Sequence, residues 1–205
     1  MKDIWVVGAG GHAKVVLATL HALKMPIRGL LDDRPELWGK QILEWEVMGG
    51  LDGLNDLAAR AVIAIGSNQT RHQIATRFPA VQWVSAIHPL ACVHSSARVG
   101  EGTVVFAGAV VQPDAYLGRH VIVNTAATLD HDARADDFVH VAPGVHLAGN
   151  VHLGEGVFMG ISSSAVPGVR VGSWSTVGAG AVVISDIAPN TIAVGVPARS
   201  IQKLG

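Results

Sequence analysis

Residues 117–134 read LGRHVIVNTAATLDHDAR, three consecutive blocks of six that each open on an aliphatic residue: Leu117, Val123 and Leu129. The frame extends from Ile87 to Ala188 without an insertion, through Val93, Val99, Val105 and Val111 on one side and Ala135, Val141, Leu147, Leu153, Met159, Ala165, Val171, Val177 and Val183 on the other. The fifth position of each block is small or β-branched, as in Val121, Ala127 and Ala133. A helix repeats its apolar face near 3.6 residues and a half-buried strand every second residue, so a period of six fits neither. It fits a three-sided parallel β-helix, the architecture of hexapeptide repeats. Each block then supplies one short strand and one corner, and three blocks close a coil whose axis is filled by the first-position side chains.

Composition sets the outer limits. The 205 residues leave room for one or two domains. Fifteen basic residues against sixteen acidic ones, with no basic run, argue against nucleic acid or a membrane surface as partner. The single cysteine, Cys92, rules out an internal disulfide framework and suits a reducing compartment. No apolar run approaches the length of a membrane span, and Met1-Lys2-Asp3 leads straight into a strand rather than a signal peptide. A soluble, cytoplasmic protein is expected.

Ahead of the repeat the pattern changes to α/β. Ile4 to Val7 reads as a buried strand, Gly8 to His12 as a tight turn, and Ala13 to Leu23 as a helix with Val15, Val16, Leu20 and Leu23 inward. Ile27 to Leu31 and Ala61 to Ile65 read as further strands, Thr70 to Phe78 as a helix, and Val81 to Val84 as a last strand. This predicts a Rossmann-like half domain over residues 1–85, followed by a β-helix domain with a C-terminal cap over residues 86–205. Gly8-Ala9-Gly10-Gly11-His12-Ala13 satisfies GxGxxG/A, and Asp32 lies about where a ribose-binding acid should. The domain is half the size that a whole dinucleotide needs. A glycine turn at a helix N-terminus binds any phosphate, so the motif indicates a phosphorylated ligand and only weakly a dinucleotide.

In order, GAGGHAKVV, LLDD, AIGSNQTR, NTAATLDHD and the closing VGVPARSI resemble the bacterial sugar acetyltransferases of the sialic acid O-acetyltransferase type. That family includes N-acetyltransferases of nucleotide-linked 4-amino sugars such as UDP-4-amino-sugars and GDP-perosamine. The resemblance covers essentially the whole chain. It implies a left-handed β-helix, a homotrimer, acetyl-CoA as co-substrate in the groove between neighbouring columns, and a nucleotide-linked amino sugar held by the first domain, in surface-glycan or lipopolysaccharide synthesis. By the same resemblance His131 is the catalytic base and Asp132, a Glu in other members, is the acid that orients it. His140, Gly149, Ile161, Ser162 and Ala179 match coenzyme contacts. Gly10, Gly11, His12, Asp32, Asp33, Gly66, Ser67 and Asn68 match nucleotide-sugar contacts. Arg199 and Lys203 are assigned to coenzyme phosphates from their charge alone.

The coil itself bears on His131. Residues 18 apart stack on one face, which sets Gly149 one coil above His131 and leaves an open shelf with a backbone N–H beside the imidazole. A base near a backbone donor is what acyl transfer to an amine needs. Direct transfer is expected, because Cys92 lies two coils below and offers no acyl-enzyme. His140, His146 and His152 fall on three successive faces and cannot converge on a metal, so no metal is expected. Asp136 and Asp137 read as a solvated corner. O-acetylation of a sugar hydroxyl is the alternative activity, and a non-catalytic nucleotide-sugar-binding protein the alternative class.

Overall fold

The structure, a computed structural model, describes residues 3–55 and 59–203, with the backbone alone at Lys203. β1 (Ile4–Val7) is buried throughout, and Gly8 turns the chain after it at φ +103°. A Cβ there would also meet Ile65 Cγ1 at 2.6 Å, so angle and space both require glycine. The chain continues through α1 (Gly11–Ala22), β2 (Ile27–Leu31), β3 (Gln41–Ile42), β4 (Trp45–Gly49), β5 (Arg60–Ile63), α2 (Asn68–Arg77) and β6 (Gln82–Trp83). One sheet results, in the order β3-β4-β2-β1-β5-β6, parallel except at the β3–β4 hairpin. Sequence patterning missed that hairpin because β3 has only two residues and, of the apolar residues Ile42, Trp45, Val47 and Met48, only Val47 is buried.

α1 buries Ala13, Val16, Leu17 and Leu20, an i, i+3, i+4, i+7 stripe. Val15, expected inward, lies off that stripe and is exposed. One face of the sheet packs on α1; the other holds Trp5, Val7, Leu31 and Ile63 against Ile74 and Phe78 of α2 and its C-cap.

The repeat winds as its period requires. Seventeen two-residue strands run from β7 (Ala86–Ile87) to β23 (Val182–Val183), and each ends on a first-position residue of the sequence frame. Partners are 18 residues apart, as in Val104 with Ile122, Val110 with Thr128 and Tyr116 with Arg134. The strands therefore sort into three parallel faces of a left-handed β-helix. The first carries β7, β10 (Val104–Val105), β13 (Ile122–Val123), β16 (His140–Val141), β19 (Phe158–Met159) and β22 (Thr176–Val177). The second face holds Val110, Thr128, His146 and Ser164, and the third Tyr116, Arg134, His152 and Arg170. The axis is dry: Val105, Leu117, Val123, Leu129, Val141 and Leu153 are all buried. Corners turn through left-handed residues such as Ala126, Asp132, Asn150 and Ser162. β24 (Thr191–Val194) extends the first face and β25 (Arg199–Lys203) folds back antiparallel on it, covering the edge that the last coil would leave open.

The first face is also the seam with the N-terminal sheet. Val16, Leu17 and Leu20 of α1 share one apolar cluster with Ala86, Val104, Phe106 and Ile122 of the column. Arg71 locks the upper end. Only 1% exposed, it donates to the carbonyls of Ile65 and Gly66 in its own domain and to those of His120, Phe138 and Val139 across the seam. Burial pulls its pKa down to about 9, so it is still a cation at neutral pH, with its five N–H groups placed on oxygens. Asn68 adds bonds from Nδ2 to the carbonyls of Gly156 and Val157.

Candidate active site

The parallel strands deliver two loops and a helix N-terminus to one edge, where a cleft of about 710 Å3 opens. Gly10 and Gly11 line it at the start of α1, and a Cβ on either would stand in open space, so a ligand can approach the backbone N–H groups directly. His12, Asp32, Asp33 and Gly66 line it as well. Thr70, Gln73, Ile74 and Arg77 form the α2 wall, and Arg34 and Leu51 complete the mouth. Sequence reading missed this wall. Its signal is the i, i+3, i+4, i+7 spacing on a helix with little apolar character.

Asp32 and Asp33 differ. Asp32 accepts from the Ala9 N–H at 2.8 Å, the Arg34 N–H at 3.1 Å, and Arg34 Nε and Nη2 at 2.9 and 2.8 Å. Four donors fill the roughly four lone-pair positions of a carboxylate, and the Arg34 bonds hold its pKa below the ordinary value. Asp32 thus lines the cleft and also ties the glycine turn to the β2 loop. Asp33 Oδ1 accepts the Leu51 N–H at 2.8 Å, and Oδ2 is left toward Arg77. Ser67 and Asn68 do not line the cleft; Ser67 caps α2 through Thr70 and Asn68 docks on the column.

A second constellation stands at the corner between the second and third faces. His131 Nδ1 lies 2.8 Å from Asp132 Oδ2, so the shorter acid reaches the ring. Asp130 Oδ1 accepts the His131 N–H at 2.8 Å and steadies the turn. With Nδ1–H given to Asp132, the lone pair is on Nε2. The hydrogen bond that the ring donates to Asp132 raises the His131 pKa above its ordinary 6.5. Gly149 stacks directly above: a Cβ there would lie 2.5 Å from Cε1 and Nε2 of the ring. Asn150 donates its N–H to the His131 carbonyl, while no carbonyl among the described residues takes the Gly149 N–H. An exposed imidazole, a carboxylate behind it and a spare backbone donor are thus assembled on one ledge.

Whole-chain comparison decides the family. Perosamine N-acetyltransferase from Caulobacter crescentus, solved with CoA and GDP-perosamine, superposes with a TM-score of 0.93 at 34% identity over 99% of this chain and 98% of that one. The chain belongs to the nucleotide-amino-sugar acetyltransferase family. The acetyltransferase domain of PglB from Neisseria gonorrhoeae, in complex with acetyl coenzyme A, matches with a TM-score of 0.91 at 39% identity, over 97% of this chain and 98% of that one. Residues 3–78 match the PglD N-terminal domain. UDP-N-acetylbacillosamine N-acetyltransferase of Bacillus subtilis is 38% identical over 117 residues, 52% of each chain, so this alignment spans about half the length of that curated relative.

Against this family frame, the residues assigned to the coenzyme fall on two different corners. His131, Asp132 and Gly149 share the corner between the second and third faces, where Asn150 N–H bonds the His131 carbonyl and Gly168 N–H that of Gly149. Ile161, Ser162 and Ala179 are exposed on the corner between the first and second faces, where Gly180 N–H bonds the Ile161 carbonyl. His140 is on neither. It is 8% exposed under the N-terminal domain, with Nδ1 at 3.1 Å from the Gly66 carbonyl and Phe158 edge-on. Burial drives its pKa down to about 3. Arg199 is exposed on β25, and the side chain of Lys203 lies outside the described residues. Asp136 and Asp137, expected to be solvated, are engaged: Asp136 with Arg134 and His152, Asp137 with Arg119. No group of three His, Cys, Asp or Glu able to hold a metal occurs among the described residues, and none of their helices is long and apolar enough to cross a membrane.

Proposed function

We propose that the protein transfers the acetyl group of acetyl-CoA to the amine of a nucleotide-linked amino sugar, with His131 as general base. The observation that carries this reading is the ledge of His131, Asp132 and Gly149, within a chain that matches such enzymes from end to end. The nucleotide occupies the large cleft, its diphosphate on the N–H groups of Gly10 and Gly11. The sugar points past His12 toward the column, since His12 lies edge-on to Phe106 of the first face. An amino sugar is largely an ammonium at neutral pH and must lose a proton before attack. His131 Nε2 takes it, the amine nitrogen bonds to the thioester carbonyl carbon, and the Gly149 N–H receives the developing oxyanion. Collapse breaks the C–S bond, the imidazolium returns its proton to the departing thiolate of CoA, and the acylated nitrogen releases its second proton to solvent as the neutral amide forms.

The split between corners supports a homotrimer. A second copy laid with its His131 corner against this chain's Ile161 corner would complete one groove from two half-sets. Ile161, Val166 and Ile184, each at least a third exposed, would be covered in the process. The first domain serves as the nucleotide-sugar domain and the column as the coenzyme domain, in a cytoplasmic step toward a surface glycan.

The test is an acetyl-CoA consumption assay with 4-amino sugars on different nucleotides, using wild type, His131→Ala, Ile161→Arg and a mixed assembly of the two variants. Each variant alone is expected to be inactive. The mixture should recover about a quarter or less of the wild-type rate, because some grooves then draw both intact halves from different chains. Full activity of His131→Ala would remove the base, and a mixture as dead as its parents would remove the shared groove.

A further inference from the structure

We propose that Asp33 and Arg77 read the base of the bound nucleotide, and that the base they fit is guanine; this rests on the large cleft being the nucleotide site. The cleft has a direction. Arg71, at the start of α2, is locked on the column, whereas Arg77 lies six residues, about 9 Å, farther along the same helix. With the diphosphate at Gly10 and Gly11 and the sugar toward the column, the base falls at the far end, among Asp33, Leu51, Ile74 and Arg77.

Hydrogen-bonding groups there stand in a set order. Arg77 Nη1 lies 3.7 Å from Asp33 Oδ2, and its Nη2 is held by Asp52 Oδ1 at 3.3 Å. Asp33 Oδ1 is held by the Leu51 N–H at 2.8 Å and keeps a lone pair. Both side chains are more than half exposed, so they can meet a ligand, whereas the neighbouring Asp32 has its acceptor positions filled. Read across, the array is donor, acceptor, acceptor: guanidinium, Oδ2, Oδ1. Guanine presents the complement along one edge, O6 as acceptor and then N1–H and N2–H as donors. Uracil and thymine match the first two positions but set a carbonyl oxygen against Oδ1. Adenine and cytosine oppose the first two positions with an amino group and a bare ring nitrogen. Leu51 and Ile74 supply apolar surface for the faces of the ring.

Calorimetric titration of the full-length protein with GDP, UDP, dTDP, CDP and ADP tests this. GDP should bind more tightly than the others by on the order of 10-fold. Asp33→Asn keeps an oxygen for Leu51 and turns the middle acceptor into a donor. It should weaken GDP on the order of 10- to 100-fold while changing ADP by less than about twofold. Arg77→Met, at an exposed position, should weaken GDP and UDP alike, since both place a carbonyl there, and spare ADP. Equal affinity for GDP and UDP or ADP would overturn the base reading and leave the nucleotide cleft standing. So would an Asp33→Asn variant that weakens every nucleotide equally. Absence of binding by all five would overturn both.

Discussion

His131 and His140 are nine residues apart, half a coil, and the column turns that half coil into opposite environments. His131 is exposed on a corner, paired with Asp132, and its pKa is raised. His140 is buried on the seam face beside the Arg71 cation, its Nδ1 on a backbone carbonyl, and its pKa falls to about 3. One imidazole is left to exchange protons with whatever docks on the corner, and the other is kept neutral as part of the joint between the domains. In a β-helix, the phase of a residue within its coil decides its chemistry more than its residue type does.

The contrast is sharpest if each histidine is removed in turn. His131→Asn should lower kcat on the order of 100- to 10,000-fold with no change in melting temperature. His140→Asn should instead cost about 0.5–1.5 kcal/mol of stability, as the Gly66 carbonyl loses one of its two buried donors and keeps Arg71. Kinetics and thermal melts on both proteins check this, and a His131 variant that keeps its rate or loses its fold breaks the division. Gly149→Ala tests the ledge alone. The added methyl would sit where the imidazole now lies, so the ring must swing away, and kcat should fall on the order of 10- to 100-fold in a protein that melts like wild type.

Acid should find the seam before the corner. His120 and His12, like His140, are held low, at about 4, first by burial and then by Arg71. Their folded pKa values lie below the unfolded 6.5, so the unfolded chain binds protons that the folded chain refuses. The stability they permit is complete above pH 6.5 and is lost as pH falls toward 4. For His120, 3% exposed, that loss is about 3 kcal/mol by pH 4. His131 has the opposite sign: its raised pKa favours the fold below pH 6.5 and ceases to do so as pH rises through the folded value. Denaturant melts across pH 4 to 8, repeated on His120→Phe, separate the two, and a wild-type curve with no acid slope contradicts the seam. The smallest effect concerns Asp132→Asn. A raised pKa means that the base is protonated, and activity falls, at a pH above 6.5. Without the carboxylate the acid limb of kcat/KM should move down toward 6.5, and an unmoved limb would detach Asp132 from the base.

The column was legible in advance because its determinants are local: each first-position aliphatic, from Ile87 to Val183, meets an equivalent residue 18 positions away. The same arithmetic brought Gly149 over His131. The α/β half was legible in order but not in detail, since the hairpin at Gln41 to Gly49 and the inward face of α1 depend on what covers them. Arg71 was not legible as a pin, because five carbonyl partners from three stretches of chain leave no mark near position 71.

By itself, then, the sequence determined a three-sided column, its pitch, and the ledge on one corner, because a short-period repeat converts spacing directly into neighbours. Only the tertiary structure decided that Asp32 is saturated by Arg34 and Ala9, that Asp33 is offered to the cleft, and that His140 belongs to the seam. Those outcomes turn on which donors and which apolar surfaces arrive from distant segments, and desolvation is a property of the assembled surroundings that no residue carries alone.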